Sequence, residues 1–105
     1  MSEQPTYTIK EAAQVRADEL SKKRKEKVVA IVVDDKAAFF RKPRRAEISY
    51  AMTLLDKDPL GAYGSILSAT FLEGDRGILD DDDYFMSAAP LANQLITQRA
   101  AEILK

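Results

Sequence analysis

The sequence has 105 residues, enough for one domain with its own hydrophobic core. It contains no cysteine and no histidine, which excludes disulfide bonds, thiolate zinc sites and the commonest general base of enzymes. Hydrophobic residues make up 46% of the chain, as in globular proteins. We therefore predict a single domain over residues 1–105 that is not an enzyme and needs no metal or other cofactor.

The net charge of −1 conceals an uneven distribution along the chain. Residues 1–50 hold 12 Lys/Arg and 8 Asp/Glu, whereas residues 51–105 hold 4 and 9. Such a split suits self-association or a polar partner surface, and the simpler explanation is that charges coat two solvated faces. The N-terminus has no secretory pattern, and no apolar run approaches the roughly 20 residues of a membrane helix. These features predict a cytoplasmic protein.

The first predicted element is a helix over residues 8–26, after a polar lead-in over residues 1–7. Thr8 and Glu11 have the spacing of a capping box at the start of a helix. The apolar positions that follow at helical spacing are Ile9, Ala12, Ala13, Ala17 and Leu20. Because most of them are alanine, we expect a thin apolar face, and a helix that docks loosely or is completed by a partner.

A basic segment ends this helix. Cations at a helix C-terminus oppose the negative end of the helix dipole, which explains the segment structurally. Nucleic-acid binding is the alternative, and the residues that it would use are Lys22, Lys23, Arg24, Lys25, Lys42, Arg44 and Arg45. Glu19 and Glu26 flank the segment and no aromatic residue is interleaved, so the sequence favours the structural explanation.

A β-hairpin follows. Residues 28–33 are almost all β-branched and predict a buried strand, residues 34–36 suit a tight turn, and residues 37–41 predict the returning strand. A two-stranded ribbon is marginal alone, so helices must cover one of its faces. If they leave an outer edge open, that edge could receive a strand from another chain.

Two helices are predicted next, joined by a short turn as a helical hairpin. Pro43 suits the first position of the first helix, whose apolar face is Ile48, Ala51, Met52 and Leu55. Asp58 and Pro59 predict the cap and first residue of the second helix. Its apolar positions are Leu60, Tyr63, Ile66, Leu67, Ala69 and Phe71. Gly74 is then the natural stop of that helix.

The last predicted helix runs from about Asp83 toward Lys105, with a kink or a break into two helices at Pro90. The aspartates of residues 80–83 lack the alternating ligands of a calcium loop, and carboxylates before a helix are favoured by its dipole. Together the elements predict an α+β fold: an N-terminal helix, a two-stranded antiparallel hairpin, a helical hairpin and a long or kinked C-terminal helix.

Aromatic and methionine side chains provide the candidate protein-binding residues. Phe39 and Phe40 cannot both point inward if their strand has one solvated face, because neighbours on a strand alternate. A similar argument applies to Tyr84, Phe85 and Met86. We therefore expect one member of each group to lie on an exposed apolar patch of the kind that binds proteins.

Between Phe40 and Phe85 the chain carries four ordered features. They are Phe-Arg-Lys-Pro-Arg-Arg-Ala-Glu at residues 40–47, Asp-Pro-Leu at residues 58–60, and Ala-Thr-Phe-Leu-Glu-Gly-Asp at residues 69–75, with Leu-Asp-Asp at residues 79–81. This order resembles the small tail assembly chaperones of long-tailed bacteriophages. Those proteins carry a strand before a basic-Pro-x-Arg-x-Glu helix start, an Asp-Pro-started helix, and a Gly-Asp … Asp loop. The basic first helix departs from that pattern.

The resemblance implies transient binding to the tape measure protein, a long, helical, apolar chain that sets tail length. The protein would then work in the host cytoplasm and would coat its partner until tail tube subunits replace it. Two alternatives stay open: a structural virion or adaptor subunit that remains in its assembly, and a small nucleic-acid-associated regulator that uses the basic segment over residues 22–27.

Overall fold

A computed structural model describes the backbone of residues 5–96 and the side chains of residues 10–96. Its helices are α1 (Pro5–Arg24), α2 (Arg45–Leu54), α3 (Pro59–Thr70), α4 (Gly77–Asp80), α5 (Asp82–Ala88) and α6 (Ala92–Leu95), with a 3₁₀ turn over Ala89–Leu91. Its strands are β1 (Val28–Val33), β2 (Lys36–Arg41) and β3 (Phe71–Gly74). Helices and an antiparallel sheet in one chain confirm the α+β class.

The sheet has three antiparallel strands in the order β1-β2-β3, so the prediction of a two-stranded ribbon is wrong. The helix expected to continue to Gly74 ends at Thr70, and Phe71 is already extended. Gly74 has a φ of +118° and pairs with Ala38 instead of ending a helix. A strand of four residues is too short for its alternation to stand out in the sequence.

β2 is the central strand and is covered on both faces. Phe40 is fully buried among the helices that follow the hairpin, with Ile66, Leu67 and Ile78. Phe39 points to the opposite face and is buried beside α1. The expectation that Phe39 or Phe40 lies on an exposed patch is therefore wrong, because a helical layer lies on each side of the sheet.

A β-bulge adapts β3 to α1. Phe39 pairs with Glu73 and Phe40 with Phe71, so Leu72 is an extra residue in the ladder. As a result Leu72 packs into the cluster beneath α1, while Glu73 accepts hydrogen bonds from the Arg16 guanidinium at 2.8 and 2.9 Å. The bulge thus joins the first helix to the last strand.

The first helix begins at Pro5, so the predicted start at Thr8 is wrong, and it ends at Arg24. It packs on the sheet through Ala13, Ala17 and Leu20, whereas Ala12 is exposed. The small side chains bring α1 close to β1 and β2. Ile9 belongs to the residues whose side chains are not described.

The helical hairpin begins later than predicted. Pro43 precedes α2 rather than starting it, and Arg44 is the cap because its N–H donates to the Glu47 carboxylate at 2.8 Å. The prediction for α3 is confirmed: the Asp58 carboxylate accepts from the Gly61 N–H at 2.9 Å, and Pro59 is the first helical residue.

The C-terminal part is built from short helices. Asp81 caps α5 by accepting from the N–H groups of Asp83 and Tyr84, so the helix begins at Asp82. A 3₁₀ turn that contains Pro90 separates α5 from α6. The predicted helix toward Lys105 is therefore divided, and its stretch over residues 97–105 lies outside the described residues.

Candidate protein-binding surfaces

The five predicted binding residues have different fates in the structure. Phe39 and Phe40 are buried, with 7% and 0% of their surface exposed, and cannot contact a partner. Tyr84 is half-buried, and the Lys36 ammonium lies 5.4 Å from the centre of its ring. Phe85 is half-buried, and Met86 is 55% exposed. Only the α5 group therefore reaches the surface.

Phe85 connects α5 to the start of α3. Its ring packs over Gly64, where an added Cβ would lie 3.2 Å from the Phe85 Cζ atom. Leu60 lies one turn before Gly64 on the same side of α3 and is 43% exposed. We call Leu60, Phe85 and Met86 the α3–α5 apolar surface. Leu60 was predicted to belong to the apolar face of this helix, and its place in the first turn of α3 leaves it exposed.

The other exposed apolar side chains are distributed over two helices. Val15 on α1 is 58% exposed, and Tyr50 and Met52 on α2 are 59% and 47% exposed. Tyr50 and Met52 are two residues apart in a helix, so their side chains point to different sides. They do not form one patch.

The basic residues meet at one end of the sheet. β1 begins directly after Lys27, and Val28 pairs with Arg41, so the end of α1 and the start of α2 lie at this end. Lys27 and Lys42 line the same small cavity. The exposed residues of this basic end are Lys22, Lys23, Arg24, Lys25, Lys27, Lys42, Arg44 and Arg45. Arg24 is paired with Glu26 at 2.7 Å.

The opposite end of the sheet is acidic. It holds the hairpin turn with Asp34 and Asp35, and Asp75 beside Lys36 at 3.3 Å. The aspartates of residues 80–83 lie at the end of α4 and the start of α5, and α4 packs near the start of β2. A strand of six residues separates the two ends by about 20 Å. The two ends of the sheet therefore carry opposite charges, an arrangement that the comparison of the two halves of the sequence does not show, since Asp34 and Asp35 belong to the basic half.

A charged pair holds the basic end to the helical layer. The Arg41 guanidinium donates to both Glu47 carboxylate oxygens at 2.9 and 2.7 Å, and also to the carbonyl oxygens of Ala69 and Lys42. Arg41 and the Arg44 N–H lower the pKa of Glu47 to about 2. The Arg41 side chain is only 10% exposed, so the pair fixes the end of β2 against α2 and α3.

We expect Glu47→Gln to lower the free energy of unfolding by about 2 kcal/mol at pH 7. The folded pKa is below the unfolded value, so this contribution is fully present above about pH 4.5 and disappears as the pH falls toward 2. Urea titrations of both proteins at pH 7 and pH 2.5 measure the difference. Glu26→Gln, which removes an exposed pair, should cost only about 0.5 kcal/mol. A difference at pH 2.5 as large as that at pH 7 would contradict the assignment.

Among the side chains of residues 10–96, no group of three or more His, Cys, Asp or Glu is arranged to hold a metal ion. Asp81 of the acidic run serves as a helix cap. No helix over the same residues has the length and apolar character needed to cross a membrane.

A groove runs along the outer side of β1. It has a volume of about 190 Å³ and lies between the strand and the last helical turns. Its lining residues are Lys27, Val29, Ala30, Ile31, Leu91, Gln94 and Leu95. The groove lies at the edge of the sheet, next to the basic end.

Comparison with known proteins gives no relative: no family model, no curated protein and no solved structure matches this chain.

Proposed function

We propose that this chain is a non-catalytic protein-binding protein that holds an apolar, helical segment of another protein. The observation that supports the proposal is the α3–α5 apolar surface, to which α3 contributes the exposed Leu60 and α5 the half-buried Phe85 and the exposed Met86. Large apolar side chains that remain exposed next to a completed core are typical of protein-binding sites.

The chemistry of this surface suits a helix. Met86 is flexible and polarizable, so it adapts to irregular apolar partners. Leu60 and the Phe85 ring supply a firmer base, because Phe85 is held over Gly64. An amphipathic helix of the partner would lay its apolar face on these side chains. By resemblance to the tail assembly chaperones, the partner would be a tape measure protein.

Co-expression tests this function. The tagged chain is produced together with the proteins encoded beside its own gene, and the soluble fraction is purified at 0.3 M salt. The proposal expects recovery of a long, helix-rich protein that is insoluble when produced alone. Met86→Glu should reduce that recovery at least about tenfold, because it places a charge in an apolar contact.

Met52→Glu is the matched control, since Met52 is exposed to a similar degree on α2. It should leave the recovery unchanged. If the chain purifies without such a partner, the proposed function is wrong. If both glutamate variants lose the partner equally, the α3–α5 apolar surface is not the binding site.

Binding to a polyanion is the second candidate, and the basic end of the sheet favours it. The structure brings the exposed cations before β1 together with those after β2, although they are about 15 residues apart in the sequence. Nucleic acid that co-purifies at about 50 mM salt and is lost at about 200 mM would support this candidate over the first.

A further inference from the structure

In the part of the chain that the structure describes, the outer edge of β1 lacks the usual protection against strand pairing. β1 is six residues long, entirely apolar, and pairs with β2 on one side only. Edge strands in proteins are usually short, charged, bulged or interrupted by proline. β3, at the other edge, is only four residues long and is bulged. β1 therefore stands out as an edge that can accept a strand.

The hydrogen bonds show which backbone groups face outward. The Val28 N–H donates to the Ser21 hydroxyl at 2.9 Å, so the backbone N–H of Val28 points away from β2. On β2, the Ala37 carbonyl accepts from the Asp75 N–H, so the backbone carbonyl of Ala37 points away from β1. Because the direction of the backbone N–H and C=O groups alternates along a strand, those of Ala30 and Val32 point away from β2, as those of Val28 do.

Among the described residues, the backbone groups of Ala30 and Val32 have no partner at this edge. No backbone group of residues 5–96 and no side chain of residues 10–96 donates to them or accepts from them on the side away from β2. Val28, in contrast, is satisfied by the Ser21 hydroxyl, which also donates to its carbonyl at 3.4 Å. An added strand would therefore pair with Ala30 and Val32.

The ends of β1 carry opposite charges. Lys27 precedes the strand at the basic end, and Asp34 and Asp35 follow it at the acidic end. A strand that binds antiparallel to β1 gains at both ends if it is preceded by a cation and followed by an anion. β1 of a second copy has this arrangement.

We propose that two copies of this chain pair through their β1 strands, antiparallel, about a two-fold axis at Ile31. In this register Ala30 of each copy faces Val32 of the other, and each such pair exchanges two N–H···O bonds. Lys27 of each copy then lies next to Asp35 of the other. Two three-stranded sheets become one continuous sheet, and the contact is the same seen from either copy.

The same register fills the groove beside β1. Val29 and Ile31 point toward the helical layer and line the groove. Antiparallel pairing about Ile31 brings Val33 of the second copy beside Val29, and the two Ile31 side chains beside each other. Apolar side chains thus fill the space between β1 and Leu91 and Leu95. The dimer does not depend on the partner proposed above.

Molar mass in solution gives the first test. Light scattering on the full chain at about 100 µM should give twice the 11.7 kDa chain mass, with dissociation on dilution. Ala30→Pro removes an outward N–H and leaves the pairing with β2 intact, so it should raise the dissociation constant at least about 100-fold. Circular dichroism checks that this variant is folded. A monomeric wild type, or a folded A30P variant that dimerises normally, would overturn the proposal.

Charge exchange gives a second test that does not depend on the proline variant. K27D and D35K each place like charges at both contacts between the two copies, so each variant alone should dimerise at least about tenfold more weakly than wild type. Mixed in equal amounts, they should form a heterodimer at the wild-type concentration, because both contacts are complementary again. If the mixture remains monomeric like the separate variants, the register is wrong and the proposal fails.

Discussion

Phe40→Ala should lower the free energy of unfolding by about 4 kcal/mol, because it empties the centre of the main core. The ring is completely buried and makes an edge-to-face contact with Phe71, at 5.9 Å between ring centres. Alanine would leave a cavity among Ile66, Leu67 and Ile78. Because these side chains belong to two different helices, α3 and α4, they cannot all move in to fill the cavity. The loss is a large part of the roughly 10 kcal/mol expected for a domain of this size.

Urea denaturation at pH 7 and a fixed protein concentration measures this loss. Phe40→Leu is the control, since it keeps an apolar side chain in the site and should cost about 1.5 kcal/mol. Phe39→Ala tests the other face of the same strand, where the neighbours Ala13 and Ala17 are small. A loss of less than about 1.5 kcal/mol for Phe40→Ala would mean that Phe40 is not buried in the main core.

The elements that the sequence predicts well have strong local signals. β1 is a continuous run of apolar and mostly β-branched residues, and α3 begins with a cap and a proline that act within a single turn. The start of α2 depends on Arg41, which lies before the helix and binds Glu47, so Pro43 alone is misleading. β3 has only four residues and exists because the outer side of β2 needs hydrogen-bond partners. Pairing of this kind is not encoded in the segment itself.

The exposure of the candidate binding residues is also hard to predict, because it depends on contacts with distant parts of the chain. Phe39 and Phe40 alternate as expected, but the sequence does not tell that α1 covers the second face of their strand. Met86 is exposed because Phe85 takes the position over Gly64, a contact between residues about 20 apart in the sequence. The edge of β1 becomes visible only when the strand order is known.

Gly74→Ala should destabilise the protein by about 3 kcal/mol, although it changes an exposed residue. The φ of Gly74 is +118°, a conformation that L residues rarely adopt. A Cβ at this position would lie 2.6 Å from both the Ala37 carbonyl oxygen and the Ala38 Cα atom. Both atoms belong to the backbone of the central strand, so β3 must move away from β2.

Gly64→Ala is the matched control, because its added Cβ meets only the Phe85 ring at 3.2 Å, within a helix that favours alanine over glycine. It should change the stability by less than about 1 kcal/mol. Hydrogen exchange locates the damage: the Asp75 amide, which donates to the Ala37 carbonyl at 2.9 Å, should lose its protection in the G74A protein. Amides of β1 that bond to β2 should be affected less. Equal stability of the two variants, with the Asp75 amide still protected, would show that β3 does not pair with β2 in this way.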